Sequence, residues 1–149
     1  MPTFSEAAST IRNRFATQMH AERSILIAFD NATGLYDGTQ TVQEPQDANG
    51  DPTPWVRLNI RPGNAFQVTL GRNRTFRNPG TVITQIFTVA GTGDGLANEI
   101  AEDVAAALRG VTVSAVRLRA TSPPQFVGPD GAWYQVNCVT PFEYDETEP

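Results

Sequence analysis

The sequence predicts an α+β fold: a two-layer sandwich of a mostly antiparallel or mixed β-sheet with two main helices on one face. Three observations predict it. Two stretches, within residues 4–19 and 96–108, carry apolar residues at helical spacing. The other apolar runs are short, rich in Val, Ile, Thr and aromatics, and bounded by Gly, Pro, Asn or Asp. Two helices suffice to cover one face of one sheet.

Taken in order, Thr3 and Glu6 have the spacing of a capping box. Phe4, Ala8, Ile11, Phe15 and Met19 then form one apolar stripe, with Arg12, Arg14 and Gln18 off it. Ile25 to Phe29 reads as a strand ended by Asp30-Asn31. Residues 34–54 have few apolar anchors and read as a long loop, of the kind that is functional or orders on a partner. Trp55–Ile60, Phe66–Leu70 and Val82–Val89 read as three strands of an antiparallel meander. The turns are Arg61-Pro62-Gly63-Asn64 and Asn78-Pro79-Gly80, since Pro presets one dihedral and Gly accepts a positive φ.

Gly91-Thr92-Gly93-Asp94-Gly95 breaks the sheet. Leu96, Ile100, Val104 and Leu108 recur every four residues in the second helix. Glu99, Glu102 and Asp103 lie early in it, where the macrodipole favours acids, and Arg109-Gly110 closes it. Val111–Arg119 reads as a strand, Ser122 to Gly131 as a loop, and Trp133–Tyr144 as a final strand that breaks into an acidic tip. No internal repeat is present.

The chain of 149 residues fits a single domain spanning 1–149. No apolar run approaches the ~20 residues that span a bilayer, and Met-Pro-Thr-Phe-Ser-Glu has neither the basic nor the apolar region of a signal peptide. Cys138 is the one cysteine, so no internal disulfide forms. The net charge is −5, which argues against close phosphate contact. All 11 basic residues are arginine. Arg57, Arg61, Arg72, Arg74 and Arg77 fall between Asp51 and Asp94, a stretch without acids, whereas Glu143, Asp145, Glu146 and Glu148 crowd the last residues. One basic zone and one acidic zone can pair between copies of a chain; an uneven solvated surface is the plainer alternative.

The sequence offers little chemistry. The Gly91–Gly95 segment lacks the lysine of a phosphate loop and the register of a dinucleotide fingerprint. Asp47-Ala48-Asn49-Gly50-Asp51 opens like a calcium loop, but Gly50 comes too early and Leu58 stands where the closing acid belongs. One histidine, His20, and one cysteine cannot supply four zinc ligands. Cys138 within its strand reads as a small buried hydrophobe, and Trp55 and Trp133 as core or subunit-contact residues. No catalytic, cofactor or metal residue is expected.

Trp55-Val56-Arg57-Leu58-Asn59-Ile60, Gln67-Val68-Thr69-Leu70-Gly71, Arg77-Asn78-Pro79-Gly80-Thr81-Val82, Ile86-Phe87, Gly91-Thr92-Gly93, Leu96 to Asp103, Trp133-Tyr134-Gln135 and Pro141-Phe142-Glu143-Tyr144 form an ordered series. That series resembles a phage tail terminator-like family across most of residues 55–146. Members often carry a proline soon after the Phe87 strand, where this chain has Val89-Ala90. The resemblance implies a structural virion protein of long, non-contractile tails. It implies a homo-hexameric ring that caps the head-proximal end of the tail tube, stops tube growth and joins the neck or head-completion protein. It further implies that DNA passes through the ring without specific binding, that no membrane is involved, and that assembly takes place in the host cytoplasm. Arg57, Arg61, Arg72, Arg74, Arg77, Glu143, Asp145 and Glu146 are the candidate subunit or tube contacts. A head–tail connector or stopper ring and a small-ligand binding domain remain the alternatives.

Overall fold

Alternation of apolar and polar residues sets most of the sheet, and helical spacing sets the two helices that cover it. A computed structural model describes residues 3–23, 25–30, 34–36, 41–42, 45–46 and 49–148. The elements run α1 (Phe4–Arg23), β1 (Leu26–Phe29), β2 (Leu35–Tyr36), β3 (Thr41–Val42), β4 (Trp55–Pro62), β5 (Phe66–Gln67), β6 (Thr75–Val89), α2 (Gly95–Leu108), β7 (Thr112–Val113), β8 (Val116–Leu118), β9 (Gln125–Asp130) and β10 (Trp133–Thr147).

The ten strands among the described residues form one mixed sheet in the order β3-β2-β1-β4-β6-β10-β8-β7. Off that path, β5 joins β6 and β9 joins β10. β1 and β4 run parallel, and the other pairs are antiparallel. The longest ladder joins β6 to β10, from Thr75↔Thr147 to Val89↔Trp133. The fold is therefore α+β, as the sequence predicts.

Register puts most of the buried strand residues on one face. Val56, Leu58 and Ile60 of β4 lie opposite Ile86, Thr84 and Val82 of β6, and these lie opposite Val136, Cys138 and Thr140 of β10. All nine are buried. The apolar members of this set share one core with Ile11, Phe15 and Met19 of α1 and Ile100, Val104 and Leu108 of α2, so both helices pack on this face. Fully burying an aliphatic or aromatic side chain of this size contributes about 1.5–3 kcal/mol.

The capping box forms at the start of α1. Thr3 N donates to Glu6 Oε2 at 3.1 Å, and Glu6 N donates to Thr3 Oγ1 at 3.3 Å. Arg14 Nε donates to the Ala107 carbonyl at 3.0 Å, tying α1 to the last turn of α2, where a cation is favoured.

Several local expectations are corrected. Asn78-Pro79-Gly80 is no turn but part of β6. The Pro79 carbonyl accepts from Gly63 N at 2.8 Å, so it points away from β10. The N–H that Pro79 lacks would point the same way, beyond the end of β4, and the β10 ladder loses nothing. The meander is likewise broken: β4 pairs directly with β6, while β5 shrinks to Phe66–Gln67 and pairs with Arg77 and Phe76.

Val111–Arg119 is not one strand but the β7–β8 hairpin, turned on Ser114 (φ 48°) and Ala115 (φ 68°). Two positive φ values make an I′-like turn without its usual Asn-Gly signal. The 122–131 loop contains β9, and the acidic tip continues β10 to Thr147. Within the 34–54 loop lie β2, β3 and a Gln46–Pro52 bridge; the rest falls partly outside the described residues. Leu96, expected on the buried stripe of α2, is exposed, and Ala97, Ala101 and Ala107 complete the stripe.

Gly80 is the tightest point. A Cβ there would come within 2.4 Å of the Phe142 ring and 2.8 Å of the Arg61 carbonyl oxygen. Gly80→Ala is expected to destabilise the fold by about 1–3 kcal/mol, the range typical of overpacking. Denaturant unfolding checks it; an unchanged midpoint would show that the strands part freely here.

Candidate functional site

The far half of the β6–β10 ladder brings the basic and acidic zones together within one chain. Arg77 Nε and Nη2 donate to Asp145 Oδ1 and Oδ2 at 2.9 and 3.1 Å. Arg74 grips Glu148 in the same two-pronged way at 2.8 and 3.0 Å, the fork geometry that suits a carboxylate. From β8, Arg117 reaches Glu143 at 3.5 Å and Asp145 at 3.4 Å. Arg119 also pairs with Glu143, and Arg77 lies 3.6 Å from it.

The cause is register. Asp145↔Arg77 and Glu143↔Arg117 are direct cross-strand partners, so opposite charges meet on one face. The hydrogen bond from Arg77 is the main reason that the Asp145 carboxyl is held below its ordinary range, and the nearby Arg117 charge helps.

The other predicted contact residues lie apart. Arg57 sits over the stacked Trp55 and Phe87 rings, its guanidinium carbon 5.4 Å from each centroid. Those rings lie 4.1 Å apart at 10°, and Trp133 meets Trp55 edge-on at 6.1 Å. Arg57 also donates to Gln85 Oε1 at 3.3 Å. Arg61 and Arg72 are exposed and make no ion pair among the described residues. Glu146 points to the opposite face from Asp145. Burial, and then the charge of Glu146, push the Tyr144 hydroxyl pKa up.

Beyond Arg61 the chain forms an arm. Val68 N donates to the Thr75 carbonyl at 2.9 Å, and Thr75 N donates to Thr69 Oγ1 at 2.8 Å. Gly71 and Asn73 turn it with φ of 91° and 55°. Phe66 is 51% exposed and Leu70 is 91% exposed.

The sequence reading missed Arg117 and Arg119 as members of the charge cluster. Their spacing of two on a strand was the available signal, since it places both on one face. It also missed the exposed Phe126 and Val127, which lie on β9 where a loop was expected.

Little here can react. Burial lifts the Cys138 thiol to about 11, so it stays protonated at neutral pH. The described residues contain no group of three or more His, Cys, Asp or Glu that could hold a metal ion. One open hollow of about 340 Å³ lies between α1 and the β7–β8 turn, lined by Thr10, Asn13, Arg14, Thr17, Gln18, Val113 and Ser114. None of these is a nucleophile–base pair.

No family model matches the chain, and no curated protein matches it. A solved structure superposes on it with a TM-score of 0.62 at 12% identity, covering 99% of each chain. That likeness shows a shared fold.

The charge cluster makes stability pH-dependent. Asp145 has a lower carboxyl pKa folded than unfolded, so its stabilisation is full above the unfolded value of about 3.9 and is lost as pH falls through the folded one. Asp145→Asn should lower stability at pH 7 and flatten its decline on acidification below about pH 4. Denaturant midpoints at neutral and acid pH check this; parallel curves for both proteins would remove Asp145 from the acid response.

Proposed function

We propose that the chain is a structural subunit of a phage-type tail: a terminator that forms a ring on the head-proximal end of the tail tube. The ring stops tube growth and presents a joining surface to the neck. The observation that carries an assembly role is the exposed apolar and basic arm, Phe66 to Arg72, projecting from a rigid sheet. A contiguous exposed apolar patch marks an interaction site, and a strand ladder holds this one in place.

The resemblance of residues 55–146 to the tail terminator-like family supplies the particle and the position in it. The partners in this reading are copies of the chain, the tail tube protein and the neck protein. The charges at Arg61, Arg72 and Glu146, which make no ion pair among the described residues, serve these contacts, whereas Arg74, Arg77, Glu143 and Asp145 are engaged within the subunit. The net charge of −5 suits a lumen that DNA crosses without sticking. No described helix is long and apolar enough to cross a membrane.

The test is tube capping. Purified protein added to polymerising tail tubes of its own particle should bind at one end and halt elongation, seen by electron microscopy of gold-labelled protein. Labelling along the tube wall, or undiminished growth, would sink the terminator reading; binding to the portal side alone would reassign it to a connector ring.

A further inference from the structure

The exposed large hydrophobics are not scattered. Among the described residues they are Phe66, Val68, Leu70, Leu96, Phe126 and Val127. They fall into two groups at opposite ends of the β6–β10 ladder. Phe66, Val68 and Leu70 lie on the arm that pairs with Phe76 and Arg77, at the Thr75↔Thr147 end. Phe126 and Val127 lie on β9, which pairs with residues 133–137 at the other end. Leu96 opens α2 just past Val89, at that same end, where Ala90 N donates to the Ala132 carbonyl at 2.9 Å. Phe66 lies level with Arg77 and Phe126 level with Val136, opposite Ile86, so a straight ladder separates these two by roughly 30 Å.

The two ends also differ in charge. Arg72 is exposed at the arm tip, and Asp94 is exposed beside Leu96; neither makes an ion pair among the described residues. The two groups occupy opposite edges of the ladder as well, since β5 joins β6 and β9 joins β10.

We infer that the arm of one copy docks on the β9–α2 end of the next copy. Phe66, Val68 and Leu70 cover Phe126, Val127 and Leu96, and Arg72 faces Asp94. Arm against arm would set Arg72 against Arg72, and β9 against β9 would set Asp94 against Asp94. The head-to-tail arrangement matches apolar to apolar and base to acid. Two different patches on one subunit make a heterologous contact, which closes into a ring when the rotation allows. The inference rests on the assembly reading above and adds the residues that join neighbour to neighbour.

The experiment uses the full chain in two variants. One carries Phe66→Asp with Leu70→Asp; the other carries Val127→Asp. These residues are at least half exposed, so unchanged melting temperatures show that the fold survives. Mass is measured by light scattering up to millimolar protein, free of tail tubes. Wild type should form species larger than a dimer. Each variant alone should need at least tenfold more protein to associate. An equimolar mixture should yield a dimer of one copy of each and nothing larger, since one intact arm then meets one intact β9 end. A wild type that stays monomeric, a variant that associates like wild type, or a mixture no larger than its parts overturns the inference. Tube capping by the wild type in the same preparation keeps the terminator reading separate from that outcome.

Discussion

Fifteen consecutive residue pairs join β6 to β10, and the other elements take their places from that ladder. One face of its near half carries Val82, Thr84, Ile86, Val136, Cys138 and Thr140, and both helices settle there. β4 extends the same face on one side, and β8 and β9 occupy the other edge of β10 at its two ends. The ladder has one point where side-chain volume is forbidden, Gly80 under the Phe142 ring. Sliding the register by one residue would place Pro79 or Thr81 beneath that ring and turn the core face outward.

The same register disposes of much of the charge. Arg74 and Arg77 spend their guanidinium groups on Glu148 and Asp145 of their own chain, and Arg117 and Arg119 join them on Glu143. Ion pairs near a protein surface add little net stability, so their main effect is on what remains unpaired. Among the described residues that remainder includes Arg61 and Arg72 near the arm and Asp94 and Glu146 elsewhere. Apolar area supplies the drive for any docking, and the residual charges set its polarity.

Much of the fold was legible because period and capping agree over long segments. Five stripe residues and a complete capping box announced α1, and turn residues on both sides announced β4. The errors share one cause: local turn chemistry was read without the partner strand. Asn78-Pro79-Gly80 has turn residues, yet its proline faces a gap between β4 and β5 and its glycine makes room for Phe142. Ser114-Ala115 lacks the Asn-Gly signal of a turn with two positive φ values, yet it turns. The candidate contacts were legible as charges and not as geometry. Nothing in the spacing of Arg74 and Glu148 says that 74 residues of chain fold back to join them. Phe126 and Val127 were hidden in a segment whose three prolines and two glycines outweighed its apolar pair.

The ladder joins segments made far apart in time. Thr75 and Thr147 bond through their hydroxyls at 2.9 Å across 72 residues, and long-range pairings of this kind are slow to find. β6 is the centre of the sheet, yet one of its edges stays open until β10 has been synthesised. For that interval the growing chain carries an unpaired central strand bearing Val82, Ile83, Ile86 and Phe87, with β4 and the short β5 to shield the other edge. Such an edge invites pairing with another nascent chain. Pro79 gives this edge no protection, because the donor it lacks would lie on the β4 side, so the pairing of β10 is itself what removes the open edge.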